Sequence, residues 1–172
     1  MSDDLSTILL EARRQIDTND LAGAEATLLQ GRKSFPDSVD LIAGLGNIRL
    51  AQGRLNKAAA DFRSAIVLSP KKAGYHVALA GILQTTRDTA GAIDALQKAV
   101  ALEPDNPALR SDLGILLRQT GRKNEAVQSL QQAVNMAPDK AYILSNLARV
   151  LQDIGDLDPA RKAVEQALDI DS

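Results

Sequence analysis

Residues 45–70 read LGNIRLAQGRLNKAAADFRSAIVLSP, and this stretch decides the fold of the chain. Its apolar residues recur at spacings of three and four, first around Leu45 and then around Phe62, which indicates two helices. Gly53 lies between them, where glycine adopts a left-handed turn at little cost. Pro70 follows the second helix and stops it. The stretch therefore predicts one helix–turn–helix repeat with helices of about a dozen residues.

The same repeat recurs along the whole chain with a period of 34 residues. Prolines stand at positions 36, 70, 104 and 138, and a further step of 34 reaches Ser172. Ala precedes each of these five positions by twelve residues, and a large apolar residue precedes it by eight. Such a period is typical of one supersecondary element copied in tandem, in which each copy buries its apolar face against its neighbours. No stretch alternates with period two, so the sequence predicts an all-α fold.

The turn between the paired helices falls on one position in every repeat. Its occupants are Asn19, Gly53, Arg87, Gly121 and Gly155. Gly is at ease in a left-handed conformation and Asn tolerates it, whereas Arg does not. We therefore expect the turn at Arg87 to be distorted or strained. Aspartates at positions 20, 88 and 156 follow the turn and are predicted to cap the next helix.

Composition argues against catalysis. The chain has 172 residues, no cysteine and a single histidine, His76. We interpret His76 as a partly packed helical residue, because its spacing implies no partner for a triad or a metal site. The acidic residues are interpreted as solvated groups at caps and outward faces, and the glycines form no phosphate-binding run. The sequence predicts no enzyme activity, no metal and no cofactor.

Charge and hydropathy limit the partners. The net charge is −2, basic pairs such as Arg32 and Lys33 are separated by acids, and aromatics make up 2% of the chain, which disfavours nucleic-acid binding. No run approaches the ~20 apolar residues of a membrane span. The start, MSDDLSTILLEARR, is acidic where a secretory signal is basic. We expect a cytoplasmic protein that binds neither nucleic acid nor membrane.

Residues 45–70 resemble a tetratricopeptide repeat, with Leu then Gly in the first helix, Ala, Phe and Ala in the second, and a closing Pro. Residues 113–138, LGILLRQTGRKNEAVQSLQQAVNMAP, are nearly as close. The resemblance divides a single domain, 1–172, into repeats of about 5–38, 39–72, 73–106, 107–140 and 141–172. The first diverges most, since Glu11 and Ala12 take the Leu and Gly positions. The resemblance implies a right-handed superhelical solenoid of about ten antiparallel helices.

In this family the first helices of successive repeats line a concave groove that binds peptides or partner helices. Carried over by position, the implied groove includes Asn47, Val77, Ala78, Ser111, Asp112, Ile115, Arg118, Tyr142, Asn146 and Arg149. A solvated helix position is the alternative interpretation for Arg118, Asn146 and Arg149, and packing between helices is the alternative for Tyr142. The leading function is a protein-interaction scaffold that binds a protein or peptide.

The last predicted helix, LDPARKAVEQALDI, has an apolar face that a following repeat would cover in earlier repeats. That face includes Ala163, Val164, Ala167, Leu168 and Ile170. Either the chain continues, or two copies pair through Val164, Leu168 and Ile170. The first alternative makes the chain an N-terminal docking or regulatory region of a longer enzyme, by analogy with bacterial sulfotransferases and glycosyltransferases. The second makes it a self-assembly module that forms homodimers.

Overall fold

A computed structural model describes residues 4–170. Within this range the chain forms ten α-helices of 13 or 14 residues and no β-strand. They are α1 Leu5–Asp17, α2 Leu21–Ser34, α3 Val39–Ala51, α4 Leu55–Leu68, α5 Ala73–Thr85, α6 Thr89–Leu102, α7 Pro107–Gln119, α8 Lys123–Met136, α9 Ala141–Ile154 and α10 Leu157–Ile170. The predicted all-α class is confirmed. Ser172, where the period of 34 ends, lies outside the described residues.

The helices fall into two compact units, with α1–α5 in unit 1, which ends at Asp88, and α6–α10 in unit 2, which begins at Thr89. In unit 1 each helix from α1 to α4 packs against the next one along the chain. In unit 2 the same holds from α6 to α9, and α7 also contacts α9. Each unit thus consists of stacked helical neighbours. A single domain over 1–172 stays a prediction.

Packing within unit 1 explains the recurring small and large residues. One core cluster consists of Ile8 and Ala12 from α1, Ala24 and Leu28 from α2, and Leu41, Leu45 and Ile48 from α3. Glycines allow close approach in both units. A methyl group at Gly46 would lie 3.1 Å from the ring of Phe62, and one at Gly114 would lie 2.6 Å from Cγ of Leu130. Small residues therefore admit large neighbours from the paired helix, as predicted.

The five turns share one backbone conformation. Asn19, Gly53, Arg87, Gly121 and Gly155 all have positive φ, between 62° and 87°. Of the two outcomes expected at Arg87, a distorted turn is wrong and a strained one is confirmed. The φ of Arg87, 64°, is close to those of the other four turn residues, and a non-glycine residue in this region costs about 1–2 kcal/mol.

A side-chain cap begins α2, as the sequence predicts for Asp20, and a second one begins α7. Asp20 accepts a hydrogen bond of 2.8 Å from the backbone N–H of Gly23 at the start of α2. Asn106 accepts from the N–H of Ala108 at 3.1 Å, and Pro107 is the first residue of α7. Both caps satisfy amides that have no partner within the helix.

Candidate functional site

The predicted groove residues lie on the first helices of the repeats. In unit 1, Asn47 is exposed on α3, and Val77 and Ala78 are half-buried on α5. The other seven lie in unit 2, on α7 and α9, and include all the charged members of the set. The chemistry of the candidate site is therefore concentrated on these two contacting helices.

Two of the unit 2 residues hold each other. Asn146 of α9 donates a hydrogen bond of 3.2 Å from Nδ2 to Oγ of Ser111 on α7. Ser111 is fully buried, so its hydroxyl orients the Asn146 amide and does not itself face a ligand. Beside them Ile115 is half-buried.

Arg118 is committed to the fold. Its Nε donates to Oδ2 of Asp153 on α9 at 2.5 Å, and Lys123 Nζ, at the start of α8, donates to the Asp153 backbone oxygen at 2.6 Å. The hydrogen bond from Arg118 holds the pKa of Asp153 below its ordinary value, and the charges of Lys123 and Arg149 act in the same direction. The Arg118–Asp153 pair therefore joins α7 to α9.

Three predicted residues have side chains that the fold leaves available. Asp112 on α7 is an exposed residue, desolvation by its surroundings raises its pKa, and within the described residues its carboxylate accepts no hydrogen bond. Tyr142 of α9 is exposed over half its surface. Arg149 is exposed on α9 and donates no hydrogen bond to any residue that the structure describes. An acid, an aromatic ring and a base are thus available to a ligand.

A cleft of about 380 Å³ lies between α9 and α10. It is lined by Ser145, Ala148, Arg149 and Gln152 of α9 and by Leu157, Ala160, Arg161 and Val164 of α10. The cleft brings together Arg149 and Val164, which the sequence assigns to different surfaces.

Only part of the predicted α10 face is uncovered. Leu168 and Ile170 are exposed outside the cleft lining. Ala163 and Ala167 are buried, so the expectation that they belong to the uncovered face is wrong. Their small side chains lie within unit 2, and the large apolar residues of α10 remain accessible.

Unit 1 contains a charge cluster that the sequence interpretation missed. Arg49 of α3 donates to Glu25 of α2 at 3.0 Å and to both carboxylate oxygens of Asp61 on α4 at 2.8 and 2.6 Å. Arg54 also donates to Glu25, at 2.5 Å. Both acids are buried. The expectation that acidic residues lie only at caps and on outward faces is therefore wrong for Glu25 and Asp61, because an arginine neutralises each of them.

The surroundings of Glu25 favour its charged form. Burial opposes its ionisation, but the hydrogen bond from Arg49 and the charge of Arg54 outweigh burial, so the pKa of Glu25 lies below its ordinary value. A sequence signal for the cluster existed. The position of Arg49 in the repeat is Leu83, Leu117 and Leu151 in the following ones, and that of Asp61 is Ala95, Ser129 and Ala163. A charge in a position that is apolar or small in the following repeats indicates a buried ion pair.

The structure shows what His76 contacts and whether residues 4–170 contain a metal site or a membrane-spanning helix. His76 is buried, and its Nε2 lies 3.3 Å from the backbone oxygen of Pro70. Between residues 4 and 170 no group of three or more His, Asp or Glu side chains is placed to hold a metal ion. Over the same range, no helix has the length and hydropathy of a transmembrane segment.

Two family models for the tetratricopeptide repeat match the chain, one over residues 9–73 and the other over 85–142 and 117–172. The chain belongs to the tetratricopeptide repeat family. Within that family it has the ten helices of five repeats across residues 4–170. No curated protein is significantly similar to it in sequence.

Solved tetratricopeptide repeat structures share the fold. A crystal structure of MamA has a TM-score of 0.86 and 21% identity over 99% of this chain and 96% of its own. MamA from Desulfovibrio magneticus RS-1, from residue 41 to its end, has a TM-score of 0.88 and 15% identity over 99% and 97%. YrrB, described as a TPR protein with an unusual peptide-binding site, has 0.83 and 20% over 97% and 86%. The predicted class, a solenoid of tetratricopeptide repeats, is confirmed.

Proposed function

We propose that the chain is a protein-interaction scaffold that binds a peptide or partner segment along α7 and α9. Membership of the tetratricopeptide repeat family supports this, since its known members present such surfaces to proteins. The peptide-binding site described for YrrB, whose fold this chain shares, supports it as well.

The unpaired polar side chains on α7 and α9 carry the proposal, and Asp112 is the clearest case. Asp112 is an exposed residue whose carboxylate accepts no hydrogen bond from any described residue, and desolvation by its surroundings raises its pKa. A peptide N–H or a basic side chain supplies the missing hydrogen bond. Tyr142 offers an aromatic face and Arg149 a donor for a peptide carbonyl or carboxylate, while Ser111 holds the Asn146 amide in place. An extended peptide carries donors and acceptors along its length and matches this mixture.

The test begins with peptides selected from a displayed random library against the purified chain. Binding of a labelled peptide to the variants Asp112→Ala, Tyr142→Ala and Arg149→Ala is then measured by fluorescence anisotropy. Each substitution is expected to weaken binding by about tenfold if it removes a principal contact. The matched control is Lys98→Ala, an exposed base on α6.

Arg118→Ala and Asn146→Ala are less direct probes, because both residues also join α7 to α9. Unchanged affinity in the triple variant Asp112→Ala, Tyr142→Ala, Arg149→Ala would place the binding surface elsewhere and contradict the proposal.

We further propose that the chain works without catalysis or a cofactor, in a bacterial cytoplasm, and does not bind nucleic acid or membrane. The net charge of −2 and the separation of its basic residues support this choice of partner. Fractionation of the source cells tests the cytoplasmic location. The electrophoretic mobility of a DNA or RNA duplex mixed with the chain tests whether it binds nucleic acid.

The outward face of α10 is the second candidate surface. Val164, Leu168 and Ile170 are exposed there, which the hypothesis of a homodimer requires. Sedimentation equilibrium over a hundredfold range of concentration tests self-association, with Val164→Asp as the variant that should abolish it.

A further inference from the structure

The cleft between α9 and α10 repeats, by sequence register, the surface that receives α3 in unit 1. Its apolar lining stands 136 residues, four periods of 34, after residues of the first repeat. Ala148, Leu157, Ala160 and Val164 correspond to Ala12, Leu21, Ala24 and Leu28. Those four belong to or pack against the cluster that contains Leu41, Leu45 and Ile48 of α3. The cleft therefore has the apolar floor of a helix-docking surface.

Exposure distinguishes the cleft from the other copies of this surface. Val164 is 45% exposed, whereas Leu28, Phe62, Leu96 and Leu130, its equivalents in the four preceding repeats, are at most 6% exposed. An apolar side chain of this size gains free energy from full burial. No helix among the described residues covers Val164, so a helix that docks in the cleft gains the burial that the equivalent surfaces already have.

Contacts of α3 define the shape of a matching helix. Leu41, Leu45 and Ile48 are buried against the first repeat, and their spacing is i, i+4 and i+7. These three positions form one stripe on a helix. An occupant of the cleft needs large apolar residues at the same spacing.

The charges that line the cleft indicate which residue type the docking helix needs at position i+8. Arg49, at i+8, donates to Glu25 of α2 at 3.0 Å. Arg161 of α10 stands in the register of Glu25, so the sign at this position is reversed. Its present partner, Asp158, is an exposed residue of the same helix, and such pairs contribute little. Arg149 lies in the same lining, and no carboxylate does.

We propose that this cleft binds an amphipathic helix of a partner protein, with large apolar residues at i, i+4 and i+7 and a carboxylate at i+8. The carboxylate pairs with Arg161, and further acidic residues face Arg149. This surface contains neither Asp112 nor Tyr142 and shares only Arg149 with the proposed peptide site, so it adds a second class of partner to the proposed scaffold.

A second copy of the chain does not provide such a helix through α1. Thr7, Glu11 and Arg14 occupy the register of Leu41, Leu45 and Ile48, and Glu11 pairs with Arg14 at 3.1 Å. Docking α1 in the cleft would bury this polar stripe without partners. Pairing two copies through the cleft itself would bring their Arg149 and Arg161 side chains into one interface, which like charges oppose, whereas pairing through Leu168 and Ile170 would lie outside the cleft lining and leave it unfilled.

The test uses two labelled peptides with the sequence of residues 39–52, each made helical by a staple on its outer face because short helices are marginal alone. One keeps the native sequence, and the other carries R49E, which puts a carboxylate at i+8. Fluorescence anisotropy measures their binding to the purified chain and to its Arg161→Glu variant. The R49E peptide is expected to bind the wild-type chain at least about tenfold more tightly than the native peptide.

Arg161→Glu should invert this preference, an outcome that loss of folding cannot produce. Val164→Asp should abolish binding of both peptides with the circular dichroism spectrum unchanged, and Asp112→Ala should leave it intact. Equal affinity for the two peptides, or a preference that survives Arg161→Glu, overturns the proposal. So does concentration-dependent dimerisation that Val164→Asp removes while neither peptide binds, which makes a second copy the occupant.

Discussion

Units 1 and 2 differ in the type of residue that fills one position of the repeat between packed helices. In unit 1 one copy of this repeat position is Arg49, a largely buried cation between Glu25 and Asp61, while the next copy, Leu83, is apolar. In unit 2 the same position is leucine, Leu117 and Leu151, and both are buried. Burying an ion pair gains little over an apolar contact of similar volume, but breaking one is costly. The period of the fold therefore tolerates either solution, provided that all members of a cluster change together.

The largest expected effect is the loss of the central cation in unit 1. Arg49→Leu, which gives unit 1 the residue of unit 2, should destabilise the chain by about 3–5 kcal/mol, because Glu25 and Asp61 lose their shared partner in a buried site. Urea unfolding followed by circular dichroism measures the change.

The control converts the whole cluster. Glu25→Val, Arg49→Leu and Asp61→Ala together reproduce the apolar residues of later repeats, and stability should return to the wild-type value or exceed it by about 1–4 kcal/mol. A triple variant as unstable as Arg49→Leu would show that the units differ in more than this register.

Overpacking should affect both units equally, since they share the small residues at helix crossings. Ala58→Leu in unit 1 and Ala126→Leu in unit 2 replace fully buried alanines and should each cost about 1–3 kcal/mol in the same unfolding assay. Gly74→Ala on α5 is the control, because a methyl group there meets no atom within 4 Å. A large difference between the two leucine variants would break the equivalence of the units.

The turns give a smaller contrast. Unit 2 has glycine at both of its left-handed turns, whereas two of the three in unit 1 are Asn19 and Arg87 and only the third is Gly53. Arg87→Gly should raise the free energy of unfolding by up to about 1 kcal/mol, and Gly121→Ala should lower it by about 1–2 kcal/mol. Thermal unfolding of the two variants checks the opposite signs. Destabilisation by Arg87→Gly would mean that the Arg87 side chain compensates for its backbone.

Acid provides the weakest test of the comparison. The pKa of Glu25 is lower in the folded chain than in the unfolded one, so its contribution is complete above the unfolded value of about 4.3 and is lost as pH falls below it. Asp112 acts in the opposite direction, because its pKa is raised and protonation relieves the cost of burying its charge. Stability measured between pH 6 and 3 should fall more steeply in the wild type than in the triple variant Glu25→Val, Arg49→Leu, Asp61→Ala. Equal slopes would exclude Glu25 as a source of acid sensitivity.

The sequence predicts the helices well because one residue pattern is written five times. The residue types of Leu45, Gly53, Phe62 and Pro70 recur in most repeats, so an error in one repeat is corrected by the others. The charge cluster occurs once, so the other repeats provide no second example that would confirm it. Its members, 12 and 24 residues from Arg49 along the chain, meet only after three helices have packed.

The residues of the candidate site could be predicted from the sequence only in part. Position in the repeat identifies which side chains belong to α7 and α9, but it does not identify their partners. Arg118 is occupied by Asp153, and Ser111 is buried beneath Asn146. Asp112, Tyr142 and Arg149 stay available because no complementary side chain is placed opposite them. That distinction depends on tertiary contacts, which the repeat pattern does not encode.

One acidic residue of α9 is hydrogen-bonded to two other helices. Asp153 receives Arg118 from α7 through its carboxylate and Lys123 from α8 through its backbone oxygen. The curvature of a repeat array is the sum of small rotations between neighbours, and the Arg118–Asp153 pair is partly solvent-accessible, so salt screens it. We expect ionic strength to alter the bend of the last two repeats, which makes the surface of this scaffold adjustable by its surroundings without any change in the buried core.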